Sequence, residues 1–422
     1  MQTRRTDLMQ RVTFATAALF IGVATHTSSL QADEWGGRDA NCGDDLRDPV
    51  VLSFSTVGDS RQDPDSPDPT TVDPVTGKLS GQDAIWLQNT KAWSRIIDSI
   101  NEQESHLLFF NGDMIMGYGN AGPTKGTNVA DVVSSDLMKF YQQYGFWRGM
   151  VAGLMEKGTY VVPVPGNHET QWKKGGKIAL QVNEDAWRAN MADLILDDGR
   201  FQRLFDELPT NESVGNNRAL SPGGDGKAGA TLPTDQSKLT YSFDFHGSHF
   251  VVINTDPVSN DAHAPVNWLA NDLADAQKRG VEHMFVFGHK PAFTYYFGAT
   301  IPTPPALPLP GKASGLDVDI PARDAFWNVI EQYGATYFCG HEHIFNIVQP
   351  TAATGGKAWQ IMVGSGGSPF EAAPSAATIS STDRYYAWAT VKIYRSGKVR
   401  VTAYGFDDQF GPTKVLQTVK VP

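Results

Sequence analysis

The sequence predicts an α/β protein with extra β-structure at its C-terminal end. Three observations carry that prediction. Short apolar, β-branched runs such as Tyr160–Val164 stop at a glycine, as buried strands do. Longer stretches between them repeat apolar residues at helical intervals. The last sixty residues or so alternate in the period of half-buried strands and lack a helical pattern. The chain of 422 residues is 41% hydrophobic and 19% charged, which suits a folded globular protein with a large core. Its formal charge of −11 argues against nonspecific binding to a nucleic-acid duplex, which relies on contacts to phosphate. An anionic substrate would have to be held by local positive charge.

The N-terminus has the order of an export signal. Arg4, Arg5 and Arg11 flank or precede an apolar segment from Val12 to Ala24, and small residues follow to Ala32. The apolar part is too short to span a bilayer, so residues 1–32 read as a signal peptide and no membrane span is expected after its removal. The Thr3-Arg4-Arg5 start hints at a twin-arginine route, although Asp7 stands where such a signal prefers an apolar residue. Residues 33–422 read as one domain, periplasmic or secreted. Cys42 precedes the first strand and Cys339 ends a later one, so two separate thiols are expected.

In chain order, Pro49–Val57 is the first strand, and residues 60–82, rich in proline and aspartate, form a surface loop. Trp86, Trp93, Ile97 and Ile100 mark a helix over Asp83–Asn101, and Leu107–Phe110 is the second strand. Leu137, Phe140, Tyr144, Trp147, Val151 and Leu154 mark a second long helix before the third strand at Tyr160. Glu184–Leu208 reads as mainly helical, and Asn211–Gln236, rich in Gly, Asn and Ser, as a loop. Leu239–Phe245 and His249–Asn254 alternate about His246-Gly247-Ser248 as a hairpin. A helix over Trp268–Lys278, a strand at Met284–Phe287, a proline-rich insertion, a helix over Ala322–Tyr333 and a strand at Thr336–Cys339 follow. Strands near Trp359–Val363, Tyr386–Tyr394 and Lys398–Tyr404 complete the chain.

Five of these strands end in the same way. They deliver Gly58-Asp59, Gly112-Asp113, Gly166-Asn167-His168-Glu169, Gly288-His289 and Gly340-His341-Glu342-His343. Ligands of open α/β sheets sit at the carboxyl ends of the strands, where these side chains would gather. Carboxylates and imidazoles are ligands for manganese, iron or zinc. Two cations held about 4 Å apart need a shared carboxylate, and together they neutralise a phosphoryl group and supply hydroxide near neutral pH. A further imidazole off the metals can bind the phosphate or protonate a leaving group. One Gly-Asp or Gly-His alone is ordinary turn chemistry; five in this order are not.

The order GD, GD, GNHE, GH, GHEH resembles the calcineurin-like metallophosphoesterase superfamily from Asp59 to His343, including its purple acid phosphatase-like and phosphodiesterase members. The resemblance implies a four-layer αββα sandwich of two mixed sheets and a dinuclear metal centre. It implies that Asp113 bridges the two ions, that Asn167, His289 and His341 complete one site, and that Asp59 and His343 serve the other. His168 would face the phosphate. The Gly364–Gly367 segment is similar to the family's late glycine loop. The first motif departs from the pattern: Arg61 stands where Asp-x-His would place a histidine, and Met116 where purple acid phosphatase-like members carry a tyrosine. The Asp59 site is therefore one protein ligand short, a gap for water, Gln62 or Asn111 to fill, and Arg61 is assigned to the substrate phosphate.

The expected activity is hydrolysis of small-molecule phosphomonoesters or phosphodiesters by metal-bound hydroxide. A cyclic-nucleotide or nucleotide-ester phosphodiesterase and a catalytically silent binding protein are the competing readings. A metallopeptidase is excluded by the lack of an HExxH helix. His106, His246, His249, His263 and His283 follow no strand-exit glycine and read as packing or surface residues. Trp172, Tyr295, Tyr296 and Phe297 read as packing for the inserted loops (170–236 and 294–319) rather than as a stacking platform.

Overall fold

A computed structural model describes residues 48–64, 86–195, 215–219, 225–226, 230–295, 313–370, 382 and 384–422. The signal segment, Cys42, Tyr296, Phe297 and most of the 60–82 and 294–319 insertions lie outside these residues.

The first sheet has six strands in the order β15-β14-β13-β1-β2-β3. These are β1 (Val50–Val57), β2 (Leu107–Asn111), β3 (Tyr160–Val164), β13 (Tyr385–Tyr394), β14 (Val399–Asp407) and β15 (Lys414–Val421). Strands β1, β2 and β3 run parallel, and β13 closes antiparallel on β1. The second sheet has the order β11-β12-β10-β9-β8-β7-β6. Its strands are β6 (Gly215–Ala219), β7 (Tyr241–Phe245), β8 (Ser248–Val252), β9 (His283–Phe287), β10 (Thr336–Cys339), β11 (Phe345–Val348) and β12 (Gln360–Val363). Strands β8, β9, β10 and β12 are parallel. A small hairpin, β4 (Gln171–Trp172) with β5 (Ile178–Ala179), stands apart.

Strand alternation builds the four layers. On β2, Phe109 faces the other sheet and stacks on Phe287 of β9 at 3.7 Å, while its neighbour Phe110 turns the other way onto Trp93 and Trp147. Those tryptophans belong to α1 (Trp86–Glu102) and α3 (Asp136–Glu156), the latter following the short α2 (Val129–Val133). Phe54 of β1 meets Phe250, Phe285, Phe287 and Phe338 edge-on, so the sheet-to-sheet core is an aromatic one. On the far side, Val251, Ile253, Met284, Val286, Tyr337 and Cys339 form a separate buried cluster with Leu269, Leu273, Phe326 and Ile330. These last four come from helices numbered here α6 (Val266–Arg279) and α7 (Ile320–Tyr333); α4 is Asn167–Thr170 and α5 is Gln181–Met191. The sandwich is thus α/β/β/α, as the motif resemblance implies.

Several expectations are corrected. The helix expected over Glu184–Leu208 is α5 with one 3-10 turn at Ala192–Leu194, and residues 196–208 lie outside the described residues. The loop expected over Asn211–Gln236 contains β6, which pairs at the sheet edge with β7. Strands β11 and β15 were not anticipated. The first has four residues crowded behind the GHEH motif, and the second is a mostly exposed edge strand without a continuous apolar face.

Candidate metal centre

The parallel strands of both sheets end at one edge. Gly58 N donates to Val363 O of β12 at 2.9 Å, Asp59 N to Gly112 O at 2.9 Å, and Gly340 N to His289 O at 2.9 Å, so exits from the two sheets are knitted together. Among the described residues, Asp59, Asp113 and His289 offer donor atoms all within 4.8 Å of one another. His289 Nε2 lies 3.1 Å from Asp113 Oδ1, 2.8 Å from Asn167 Oδ1 and 3.2 Å from His341 Nδ1. Asn167 Oδ1 and His341 Nδ1 are 2.9 Å apart. Donors sharing one ion at about 2.1 Å lie roughly 3 Å from each other in a six-coordinate shell, so Asn167 Oδ1, His289 Nε2 and His341 Nδ1 could hold a cation together, with Asp113 Oδ1 beside the His289 nitrogen. Beside them, His343 Nε2 is 3.7 Å from Asp59 Oδ1, and His168 Nε2 is 3.5 Å from Asp113 Oδ2. The six side chains expected to gather, and His168, do gather.

The donor chemistry fits a cation. Oδ1 of Asp59, Oδ2 of Asp113 and Nε2 of His168 are buried with no hydrogen-bond partner, a costly state that a bound ion would relieve. Burial, reinforced by the Asp113 charge, holds the Asp59 carboxyl well above its ordinary range. Burial alone would raise Asp113 too, but His168, His289 and Arg61 outweigh it and hold that carboxyl well below. Burial opposes a charge on His289, yet Asp113 and Asp59 lift it to about 9. His168 is pushed down to about 3 by burial and Arg61, and burial with neighbouring cations drives His341 and His343 well below the usual imidazole value. Three neutral imidazoles and two crowded carboxylates form a donor set that calls for positive charge.

Each ligand is aimed by its far atom. His289 Nδ1 bonds Asn111 O at 2.8 Å, His343 Nδ1 bonds Pro369 O at 2.5 Å, and His168 Nδ1 bonds Met116 O at 2.5 Å. A carbonyl only accepts, so Nδ1 carries the proton in each; Nε2 of the neutral His168 and His343 keeps its lone pair, and Nε2 of His289 would have to give up its proton to take an ion. Asp59, Arg61, Asp113 and His341 all have positive φ, between 42° and 73°, a strained backbone state found where function fixes it. Gly340 is required by close approach: a Cβ there would stand 2.2 Å from Asp59 Oδ2.

Arg61 lies at the edge of the cluster, Nη2 3.6 Å from Asp113 Oδ2. Gln62 does not fill the vacant ligand position, since its amide bonds Ser60 O at 2.9 Å and Thr90 Oγ1 at 2.7 Å. Asn111 donates its Nδ2 to Thr56 Oγ1 at 2.8 Å, while its Oδ1, the atom that could ligate, is buried without a hydrogen-bond partner. Trp172 packs over Gly175, and the backbone N–H of Tyr295 donates to Glu342 Oε2 at 2.5 Å. His249 is fully buried between Asp244 and Asp272, a packing role as expected.

Two functional residues escaped the sequence reading. Glu169 is buried and accepts from the backbone of Asp113 (2.9 Å), Met114 (2.9 Å), Ile115 (3.3 Å) and Gly166 (2.8 Å), binding the second and third strand exits to each other. Its signal was available: a glutamate at the third position of a helix commonly reaches back to the capping residue's N–H. Tyr118 lays its ring against His168 with centroids 3.7 Å apart, and its hydroxyl meets the Asn167 amide. No spacing rule pointed to it.

The fold and the site together define a class of protein: a four-layer αββα sandwich with carboxylate, amide and imidazole donors gathered at its strand exits. A family model described as calcineurin-like phosphoesterase matches residues 86–345, more than half of the chain, and the chain belongs to that family of phosphate-ester hydrolases. Asp59 and Arg61 lie ahead of the matched segment and join the site through β1. Among solved structures, the chain is similar to purple acid phosphatase PPD1 from yellow lupin (Lupinus luteus) seeds, with 11% identity and a TM-score of 0.50 over 87% of this chain and 53% of that one. It therefore spans about half the length of the lupin protein. It is also similar to a dimetal phosphatase from Danio rerio, with 11% identity and a TM-score of 0.45 over 89% of this chain and 100% of that one. No curated protein sequence matches it. Among the described residues, no helix is long and apolar enough to cross a membrane.

Proposed function

We propose that this chain is an exported phosphoesterase that hydrolyses phosphomonoesters or phosphodiesters at a dinuclear centre of manganese, iron or zinc. Asp113, Asn167, His289 and His341 would hold one ion, and Asp113, Asp59 and His343 would hold the other. The observation that carries this reading is the meeting of Asn167 Oδ1, His289 Nε2 and His341 Nδ1 at 2.8–3.2 Å from one another, with Asp113 Oδ1 3.1 Å from the same His289 nitrogen and two carboxylate oxygens of Asp59 and Asp113 buried without partners. The bound ions would supply charge neutralisation and a hydroxide nucleophile near neutral pH.

The protein's own residues would do the rest. His168 keeps its Nε2 lone pair on the open side of Asp113 because Nδ1 is tied to Met116 O, so Nε2 can take and return a proton at the phosphate. Arg61, partly exposed beside the same carboxylate, can reach a phosphate oxygen with its planar fork.

The test is to express the mature chain, load it with manganese, iron or zinc, and assay p-nitrophenyl phosphate and bis-p-nitrophenyl phosphate. Asp113→Ala is expected to lose bound metal and activity together. His168→Ala is expected to keep its metal and lose at least tenfold in kcat. A metal-loaded protein with no turnover of either ester would replace this reading with that of a binding protein.

A further inference from the structure

A basic rim lies beside the centre of this otherwise acidic protein. The β4–β5 hairpin carries Lys173, Lys174 and Lys177, all exposed, within five residues. It is fixed to the site by backbone hydrogen bonds: Tyr118 N donates to His168 O at 2.9 Å, and Lys173 N donates to Tyr118 O at 3.1 Å. The close approach is built in, because a Cβ on Gly117 would stand 1.9 Å from His168 O. The ammonium groups of Lys173 and Lys177 lie 5.8 Å and 6.0 Å from the centre of the Tyr118 ring, whose other neighbour is the His168 imidazole. Both charges are thus one aromatic ring from the residue that faces the phosphate, within about a Debye length at physiological salt.

We infer that Tyr118, Lys173 and Lys177 form a subsite for the leaving group, and that it selects phosphate esters whose leaving group carries a further anionic group, a second phosphate or a carboxylate. This rests on the phosphoesterase reading above. The lysines cannot ligate the metals and stand outside the ligand cluster, so their contribution falls on the part of the substrate beyond the scissile bond. Tyr118 supplies the floor between the two: its half-buried ring lies against His168, its hydroxyl is held by Asn167, and the exposed Lys173 and Lys177 stand beside the same ring. Two exposed ammonium groups acting on one anion give a preference of about 3- to 10-fold in affinity, weakened by salt.

The experiment uses the metal-loaded mature protein and separates binding from turnover. Phenylphosphonate, 4-carboxyphenylphosphonate and 1,4-phenylenebisphosphonate are titrated calorimetrically into the wild type and into the Lys173→Gln/Lys177→Gln double variant, at low and at high sodium chloride. The wild type is expected to bind the two doubly anionic ligands about 3- to 10-fold more tightly than phenylphosphonate, and the double variant to bind all three within a factor of two. Preference for the bisphosphonate alone marks a phosphate subsite; equal preference for both marks a general anion subsite. A wild type without preference, a preference that survives in the double variant, or one untouched by salt overturns the inference. In parallel, KM and kcat for phenyl phosphate and 4-carboxyphenyl phosphate report on the phosphoesterase reading: absence of turnover sinks that reading, while the titrations still decide the subsite.

Discussion

The Arg61→His variant is expected to turn a weak metal site into a strong one. In the wild type, the Asp59 side of the cluster offers Asp59, Asp113 and His343, with a guanidinium nitrogen 3.6 Å from Asp113 Oδ2. An ion on that oxygen at about 2.1 Å sits no more than about 6 Å from the arginine nitrogen. At an effective dielectric of about 20, the repulsion is then at least ~3 kcal/mol for each unit of charge on the ion. The side chain is partly exposed and can swing outward, so roughly half of this would be realised for a divalent ion, ~2–3 kcal/mol, or about a hundredfold in affinity. A neutral imidazole removes the repulsion and adds a donor. The assay is metal content by mass spectrometry after timed dialysis against a mild chelator, with calorimetric titration of manganese into the metal-free proteins. The wild type is expected to keep one ion per chain and release the second early, and Arg61→His to keep two. If the wild type loses both ions at one rate, or the variant gains no affinity, the arginine does not weaken the site and the argument fails.

Three further perturbations test how the centre is built. Glu169→Ala strands four buried backbone N–H groups, so a loss of ~3–5 kcal/mol in stability and a weaker hold on metal are expected, read by urea denaturation and dialysis. Phe109→Ala removes a fully buried ring stacked on Phe287 between the sheets and is expected to cost ~3–5 kcal/mol, measured the same way; a cost below 1 kcal/mol would show that the sheets are not held by this core. His249 is buried, which opposes its charge, yet Asp244 and Asp272 raise its pKa above the ordinary imidazole value. Its charged pairing therefore contributes fully below about pH 6.5 and fades as pH rises through the folded-state value. Relative to His249→Gln, the wild type is expected to be more stable by ~1–3 kcal/mol at pH 5.5, with the gap narrowing by pH 9, followed by denaturation at both pH values.

The centre was legible because its parts share one local grammar. A buried strand carries an aspartate or histidine within it only with a dedicated partner, as His249 of β8 has in Asp244 and Asp272, so a run of such residues collects at the exits, after a glycine that permits the turn. Asp59, Asp113, Asn167, His289 and His341 are all found that way, and His343 follows two residues later. Glu169 was in view but only its bond back to the capping Gly166 follows from linear spacing; its bonds to the amides of Asp113, Met114 and Ile115, on a separate loop, have no trace there. Tyr118 reaches His168 across a turn made possible by a positive-φ backbone, which sequence periodicity does not encode. Strands β6 and β15 are sheet edges. Only one side of such a strand is paired, so its composition is free to be polar and its signal fades. The helix after Gln181 ran on in the sequence reading because Leu194 and Ile195 continue its apolar rhythm, whereas the described chain leaves the α-helix at Met191.

Each sheet contributes one half of the donor set, oxygen from one and nitrogen from the other: Asp59, Asp113 and Asn167 leave the six-stranded sheet, while His289, His341 and His343 leave the seven-stranded one. Neither sheet alone could assemble the coordination shell, so ion capture must wait until the aromatic seam has closed. Once captured, an ion would act as a clasp across that seam and draw the folding equilibrium toward the docked state by mass action. Metal content would in that case report on docking of the two sheets, and weakening the seam would weaken ion retention with it.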